Sequence, residues 1–358
     1  MTDFQAAKKK RPPLGRVVPI AMDARLGDTM VHAEALAQVF DQAEADQSFS
    51  GVALVTQAED VLFEKAYGFA SRQLRVPNTV ETKFHIASMT KMFIAMTALI
   101  LSEQQRLDLH EKPATYLPEL AALDKDITIH HLLSHTSGIQ DVYDVPDLLF
   151  ETRKLIHEQG SLLTYLAHLP QTFRPGEGWS YSSTGYILMG YLMERVTGMS
   201  FGEMLSHYVL APLSMTNTGH DRPLVINPGR AYGHTYEDGQ LVNARNDRLS
   251  DFPDAPGELY STAPDMKKWC DAMFNCPLVA PHTLQLMLTP YGKVDESTGY
   301  GYGWFLAPRL RAHGGGTPGF VSRIRQFPEQ QVSVVLLSNC DTLRLEPIIT
   351  AVDSIVLG

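Results

Sequence analysis

A chain of 358 residues with 44% hydrophobic and 20% charged residues is long enough to bury a large core, which excludes a disordered segment, a fibre or a small disulfide scaffold. Thirty Lys and Arg against 40 Asp and Glu leave a net charge of −10, a field that repels phosphate backbones, so no nucleic-acid partner is expected. The three cysteines, Cys270, Cys276 and Cys340, show no CxxC metal spacing and read as buried, reduced thiols.

The chain opens on a basic cluster, Lys8, Lys9, Lys10 and Arg11, but Pro12, Pro13, Arg16 and Pro19 interrupt the next segment before any apolar run of signal-peptide length forms. Residues 1–28 are therefore expected to be a flexible arm, and the compartment the cytoplasm. Over 29–47 the apolar residues Ala33, Leu36, Val39, Phe40 and Ala43 recur at steps of three and four, which predicts an amphipathic helix. Two β-rich runs, 51–55 and 61–67, come next as a hairpin. The stretch 88–101 is apolar on nearly every face and predicts a buried central helix. It falls short of the roughly 20 apolar residues a membrane span needs.

Between 108 and 251 the pattern is helical, broken by Pro and Gly, with 129–134 and 182–197 the clearest helices and strand signals sparse. Strand patterns return at 300–306, 320–327 and 332–338, and a helix over 346–357 closes the chain. This order predicts an α+β fold: one antiparallel sheet completed by distant chain segments, flanked by helices, with an inserted and mostly helical lobe. The expected organisation is a single unit over 29–358, with a sheet lobe at about 29–85 and 252–358, a helical lobe at about 86–251, and a cleft between them.

Three segments carry candidate chemistry. In Ser88-Met89-Thr90-Lys91 the i, i+3 spacing puts hydroxyl and amine on one helix face. A hydroxyl needs a neighbouring base to act as a nucleophile, and desolvation disfavours an ammonium, so Ser88 reads as nucleophile and Lys91 as its base. Read as scaffold, Ser88 would cap the helix and Lys91 would reach water. In the run from Arg174 to Tyr186, Tyr181 sits on a loop where it can shuttle a proton, and Ser183 can orient the lysine or bond a substrate. Otherwise Ser182 or Ser183 is an N-cap with Tyr181 packed beneath. In His313-Gly314-Gly315-Gly316-Thr317-Pro318-Gly319-Phe320, Gly315 and Gly316 allow main-chain donors to approach a substrate carbonyl, and His313 adds a donor or partial positive charge. A bare hairpin turn between two strands accounts for the same residues.

Taken together, SxxK, YxS and HxG in this order resemble the penicillin-recognising serine hydrolases: class C β-lactamases, DD-peptidases, D-aminopeptidases and related esterases. The likeness extends through His130-His131-Leu132-Leu133-Ser134-His135-Thr136-Ser137-Gly138-Ile139 and Leu259-Tyr260-Ser261-Thr262-Ala263-Pro264-Asp265, so it spans residues 30–357. The resemblance implies an acyl-enzyme at Ser88, acid and base work shared by Lys91 and Tyr181, His313 in the place of the lysine of KTG, and an oxyanion hole from the N–H groups of Ser88 and Gly316, without cofactor or metal. Two departures stand out. Ser183 replaces the asparagine of YxN and removes an amide, and a neutral His313 would hold a carboxylate less firmly than an ammonium.

The expected activity is hydrolysis of a small ester or a D-amino-acid amide or peptide, with a weak or broad β-lactamase and a catalytically weakened binding or assembly protein as alternatives. Other residues receive plainer readings. His131 and His135 share an i, i+4 spacing but no HExxH pattern and read as packing. Gly198-Met199-Ser200-Phe201-Gly202 spells GxSxG after a helix instead of a strand, so Ser200 reads as an N-cap. Trp179, Tyr143, Trp304 and Phe320 are possible cleft aromatics.

Overall fold

The computed structural model describes residues 24–144, 159–222, 225–244, 259–341 and 345–357. Its main elements in chain order are α1 (Ala24–Ala45), β1 (Gly51–Gln57), β2 (Asp60–Tyr67), α2 (Thr90–Glu103), α3 (Ile129–Ser134), α4 (Ser183–Thr197), α5 (Ala263–Asn275), β3 (Gly292–Lys293), β4 (Gly299–Tyr300), β5 (Phe305–Ala307), β6 (Leu310–Thr317), β7 (Phe320–Phe327), β8 (Val332–Ser338) and α6 (Glu346–Leu357). The helix α1 takes up the last five residues of the expected arm, because Ala24, Arg25 and Leu26 favour helix although the apolar period begins only at Ala33. Residues 1–23 of that arm lie outside the described residues.

Eight antiparallel strands form the main sheet in the order β3-β4-β5-β6-β7-β8-β1-β2. The seam between the ends of the chain is β1 against β8, in register from Gly51 opposite Ser338 to Gln57 opposite Val332. The two-residue period of these strands sorts their side chains between two cores. Val52, Leu54, Val335 and Leu337 enter the larger core with α2, α4 and α5. Ala53, Val55, Val334 and Leu336 enter a smaller core under α1 and α6, where Phe40 packs on Phe49, Phe63 and Tyr67 at 5.3, 5.5 and 5.8 Å. The antiparallel sheet completed by distant segments is thus as expected.

The uniform apolarity of 88–101 has its counterpart in α2, buried without interruption from Thr90 to Leu101. A 3₁₀ turn, Ala87–Met89, precedes it and carries Ser88. Two expectations need correction. The strand expected over 300–306 is divided into β4 and β5, with residues 301–304 between them, whereas His313–Thr317 lies on the strand β6 paired with β7, the turn being confined to Pro318 and Gly319. The middle of the chain holds strands that its helical pattern hid: a hairpin of His234–Glu237 with Gln240–Asn243 around Asp238-Gly239, and Gly219–His220, which forms a small sheet with Phe84–His85 and Leu259–Ser261 from outside that stretch.

Candidate active site

Ser88 stands at a backbone corner. The strand Phe84–His85 pairs with Leu259–Ser261, Ile86 N–H donates to the Leu259 carbonyl at 3.0 Å, and the chain then turns through Ala87 at φ 46. A left-handed conformation is uncommon for a residue with a Cβ and is costly, the kind of strain that concentrates where a side chain must be presented. The corner is tied from behind, since Ser322 Oγ on β7 donates to the Ile86 carbonyl at 2.9 Å. Before the corner, His85 and Arg230 both engage the buried Asp221 carboxylate. The result leaves Ser88 partly accessible between buried neighbours.

One turn on, Lys91 Nζ donates to Ser88 Oγ at 3.2 Å. The lysine is only 1% exposed, and its Nζ lies 4.9 Å over the Tyr181 ring and 5.6 Å over that of Tyr186. Ring faces attract a cation without offering it a proton acceptor, so the amine is held in place with the serine hydroxyl in reach. Such a pair can exchange a proton in either direction.

Tyr181 precedes α4 on a loop fixed by the segment just after α3. His135, the left-handed C-cap of α3, accepts from Ser180 N–H through its carbonyl at 3.1 Å and from Ser182 N–H through Nδ1 at 3.2 Å. Ser183 N–H donates to Asp141 Oδ2 at 2.9 Å, and Thr184 Oγ1 donates to the Gln140 carbonyl at 2.9 Å. The start of α4 is therefore capped by a carboxylate 42 residues earlier in the chain. Ser182 occupies the N-cap position without a side-chain capping bond.

The far wall is β6. Its partner β5 pairs only from Ala312 back to Leu310, so from His313 to Thr317 the strand has β7 on one side and no described strand on the other. Close approach to the serine corner depends on Gly315, where a Cβ would lie 2.1 Å from the Ile86 carbonyl oxygen. Gly316 next to it is exposed, with open space where its Cβ would be. His313 is buried, its ring 6.4 Å from that of Tyr181. Its Nδ1 faces the Gly314 carbonyl at 2.7 Å and its Nε2 meets the Tyr300 hydroxyl at 3.2 Å. A carbonyl only accepts, which puts the proton on Nδ1 and makes Nε2 the acceptor of the Tyr300 hydroxyl. Burial, and then the charge of Lys91, lower the His313 pKa to about 3. The imidazole is a neutral group with both nitrogens engaged.

The sequence model of the Beta-lactamase family matches residues 36–352. The chain belongs to the beta-lactamase family. It is 26% identical over 345 residues to penicillin-binding protein 4* of Bacillus subtilis (strain 168), covering 90% of this chain and 76% of that one. It is 28% identical over 317 residues to esterase EstB of Burkholderia gladioli, covering 78% of this chain and 81% of the esterase. Among solved structures, a penicillin-binding protein from Bacillus halodurans matches with a TM-score of 0.78 at 27% identity, over 89% of this chain and 99% of that one. The chain is a beta-lactamase-family hydrolase of α+β fold.

In this family member Ser88 is bonded to Lys91, Lys91 lies beneath the Tyr181 ring, that ring is 6.4 Å from His313, and Gly315 approaches the serine corner with Gly316 beside it, whereas Ser183 contributes its backbone to the Asp141 cap and is 6% exposed. The four candidate aromatics divide. Trp304 and Phe320 are core residues, 0% and 2% exposed, and Tyr143 is exposed. Trp179 joins the site through its ring contacts with His135 at 6.3 Å and Tyr300 at 6.0 Å. Ser200 does cap the helix Phe201–Leu205, in a capping box with Glu203. His131 Nδ1 and His135 Nδ1 are engaged by Thr128 and Ser182, and among the described residues no cluster of His, Cys, Asp or Glu could hold a metal ion. Nor is any described helix long and apolar enough to cross a membrane. Among the described residues the three cysteines form no disulfide; Cys270 and Cys340 are buried, whereas Cys276 is partly accessible.

Sequence reasoning misses Tyr300, Phe305 and the clamp on the Tyr181 loop. Tyr300, bonded to His313, and Phe305, whose ring stacks 6.4 Å from that of Tyr181, both fall in the strand pattern read over 300–306, which gives no sign of the break between them or of these partners. His135 does carry a signal, through the run from His130 to Ile139, but spacing alone gives that run only a packing role.

Proposed function

We propose that this chain is a serine hydrolase that forms an acyl-enzyme at Ser88 and cleaves a small ester or a D-amino-acid amide or peptide. The observation that carries this reading is the 3.2 Å bond between Lys91 Nζ and Ser88 Oγ, made by a buried lysine beneath the Tyr181 ring. In the proposed cycle Ser88 Oγ attacks the substrate carbonyl carbon, and its proton passes into the Lys91–Tyr181 pair. The oxyanion is held by the N–H groups of Ser88 and Gly316, the latter on the stretch of β6 that has no second strand partner among the described residues. Tyr181 returns the proton to the leaving oxygen or nitrogen; water then attacks the acyl-enzyme while the same pair takes its proton and passes it to Ser88 Oγ as the acyl bond breaks.

Similarity to a protein named as an esterase supports ester turnover, and similarity to penicillin-binding proteins supports acylation by peptide-like substrates. The neutral, fully engaged His313 disfavours substrates that need a cation beside β6, which places β-lactamase activity behind the other two.

The test is turnover of a short-chain p-nitrophenyl ester by the wild type and by Ser88→Ala, with intact mass recorded during the reaction. An acyl adduct and turnover that both vanish in Ser88→Ala support the assignment. Full activity in that variant overturns the site, and a wild type that neither turns over nor acylates favours a binding protein on the same fold.

A further inference from the structure

We propose that His135 is the positioning residue of the Tyr181 loop: a neutral imidazole at a left-handed corner that fixes the backbone on both sides of Tyr181 and holds the phenol over Lys91. This rests on the reading of Lys91 and Tyr181 as the proton-handling pair.

The geometry is specific to the residue that matters. His135 bonds the backbone N–H of Ser180 with its carbonyl and that of Ser182 with Nδ1, at 3.1 and 3.2 Å, so the two bonds flank Tyr181 by one residue each. Its ring then packs on the side chain between them, 4.5 Å from the Tyr181 ring at 42°. On its other contacts lie Tyr300 at 4.6 Å and Tyr186 at 5.2 Å, so the imidazole links the tyrosine over Lys91 to the tyrosine bonded to His313. The corner itself, at φ 60 and ψ 32, is a conformation that His and Asn adopt more readily than most residues with a Cβ.

Stability alone does not account for the choice of side chain. Accepting the Ser182 N–H at Nδ1 leaves the proton on Nε2, and His135 Nε2 is buried without a hydrogen-bond partner among the described residues. An unpaired buried donor is destabilising, and glycine would cap α3 in the same backbone conformation with no side-chain N–H to bury. What histidine adds over glycine or alanine is a side-chain acceptor for the Ser182 N–H, which fixes the path of the loop and with it the position of the phenol. Burial, and then the charge of Lys91, hold its pKa well below the ordinary value. The acceptor lone pair is therefore retained, and no second cation competes with Lys91.

The test compares kcat and KM for p-nitrophenyl acetate in the full-length wild type, His135→Ala and His135→Asn, with thermal unfolding of each. Asparagine tolerates the left-handed corner and offers Oδ1 in place of Nδ1. His135→Ala is expected to lower kcat at least about tenfold with KM within about threefold, because misplacing a catalytic group by an ångström costs turnover more than binding. His135→Asn is expected to stay within about threefold of the wild-type kcat. A smaller loss in the alanine variant, a larger one in the asparagine variant, or a change carried by KM overturns the proposal. Where His135→Ala does not fold, the asparagine threshold decides. Undiminished turnover in Tyr181→Phe would instead remove the reading of Tyr181 on which the proposal rests.

Discussion

The Tyr300 hydroxyl donates to His313 Nε2 at 3.2 Å, while the Gly314 carbonyl occupies Nδ1 at 2.7 Å. A tyrosine from a two-residue strand thus completes the hydrogen bonding of the histidine on β6. Tyr300→Phe keeps the ring and removes the donor, leaving a buried acceptor unpaired. The expected loss of stability is about 1–3 kcal/mol, read as a lower urea midpoint at unchanged slope. An unchanged midpoint would show that this bond contributes nothing.

His313 also sets a pH dependence. Its folded pKa is lowered from 6.5 to about 3, so as the pH falls below 6.5 the unfolded chain takes up a proton that the folded chain refuses. Stability from this group is complete above that value and is lost as the pH drops through the window, at about 1.4 kcal/mol per unit, or about 2 kcal/mol by pH 5. His135 and His130, both lowered chiefly by burial, act in the same direction. Urea unfolding at pH 7 and pH 5 should show the decline in the wild type and a shallower one in His313→Gln. Equal slopes in the two proteins would contradict a neutral buried His313.

Lys91 should separate activity from stability. Lys91→Met fills nearly the same buried volume and removes the amine, so acyl-enzyme formation is expected to fall by a factor of about 10²–10⁴, the usual contribution of a general base. Folding should not suffer, because a thioether suits a site 1% exposed and walled by Tyr181 and Tyr186 better than an amine does. Stopped-flow acylation and thermal unfolding read the two effects. Parallel losses of both would mean that Lys91 is chiefly structural.

The parts legible in the sequence are those whose signal is local. The periods of 346–357 and 129–134 give α6 and α3 at the residues observed, and an all-round apolar run gives α2, because a helix buried on every face needs no polar side. Ser88 and Lys91 are legible because an i, i+3 pair on a helix is also a spatial pair. The Asp238-Gly239 turn is present in the sequence, with φ of 52 and 75 at its two residues as such a hairpin requires, yet the helical pattern around it masks the signal. The Tyr181 clamp is not legible: Asp141 and Ser183 are 42 residues apart, and no spacing announces a carboxylate that caps a helix from another segment. Tyr300 is hidden for the same reason, since its role comes from the neighbouring strands that the fold puts beside it.

Two adjacent glycines on β6 should behave differently. A Cβ on Gly315 would stand 2.1 Å from the Ile86 carbonyl oxygen and 2.7 Å from Ser322 Oγ, the two atoms that tie the serine corner to β7. Gly315→Ala must therefore push the corner away from the strand or break that bond. The expected cost is about 1–3 kcal/mol in stability, with a fall in acylation because Ser88 and the Gly316 N–H no longer face one carbonyl. At Gly316 nothing lies within 4 Å of the Cβ direction, so Gly316→Ala should change stability by no more than about 0.5 kcal/mol. Urea unfolding of the two variants side by side checks the contrast. Equal destabilisation would mean that β6 does not approach the corner as closely as the 2.1 Å Cβ clearance implies.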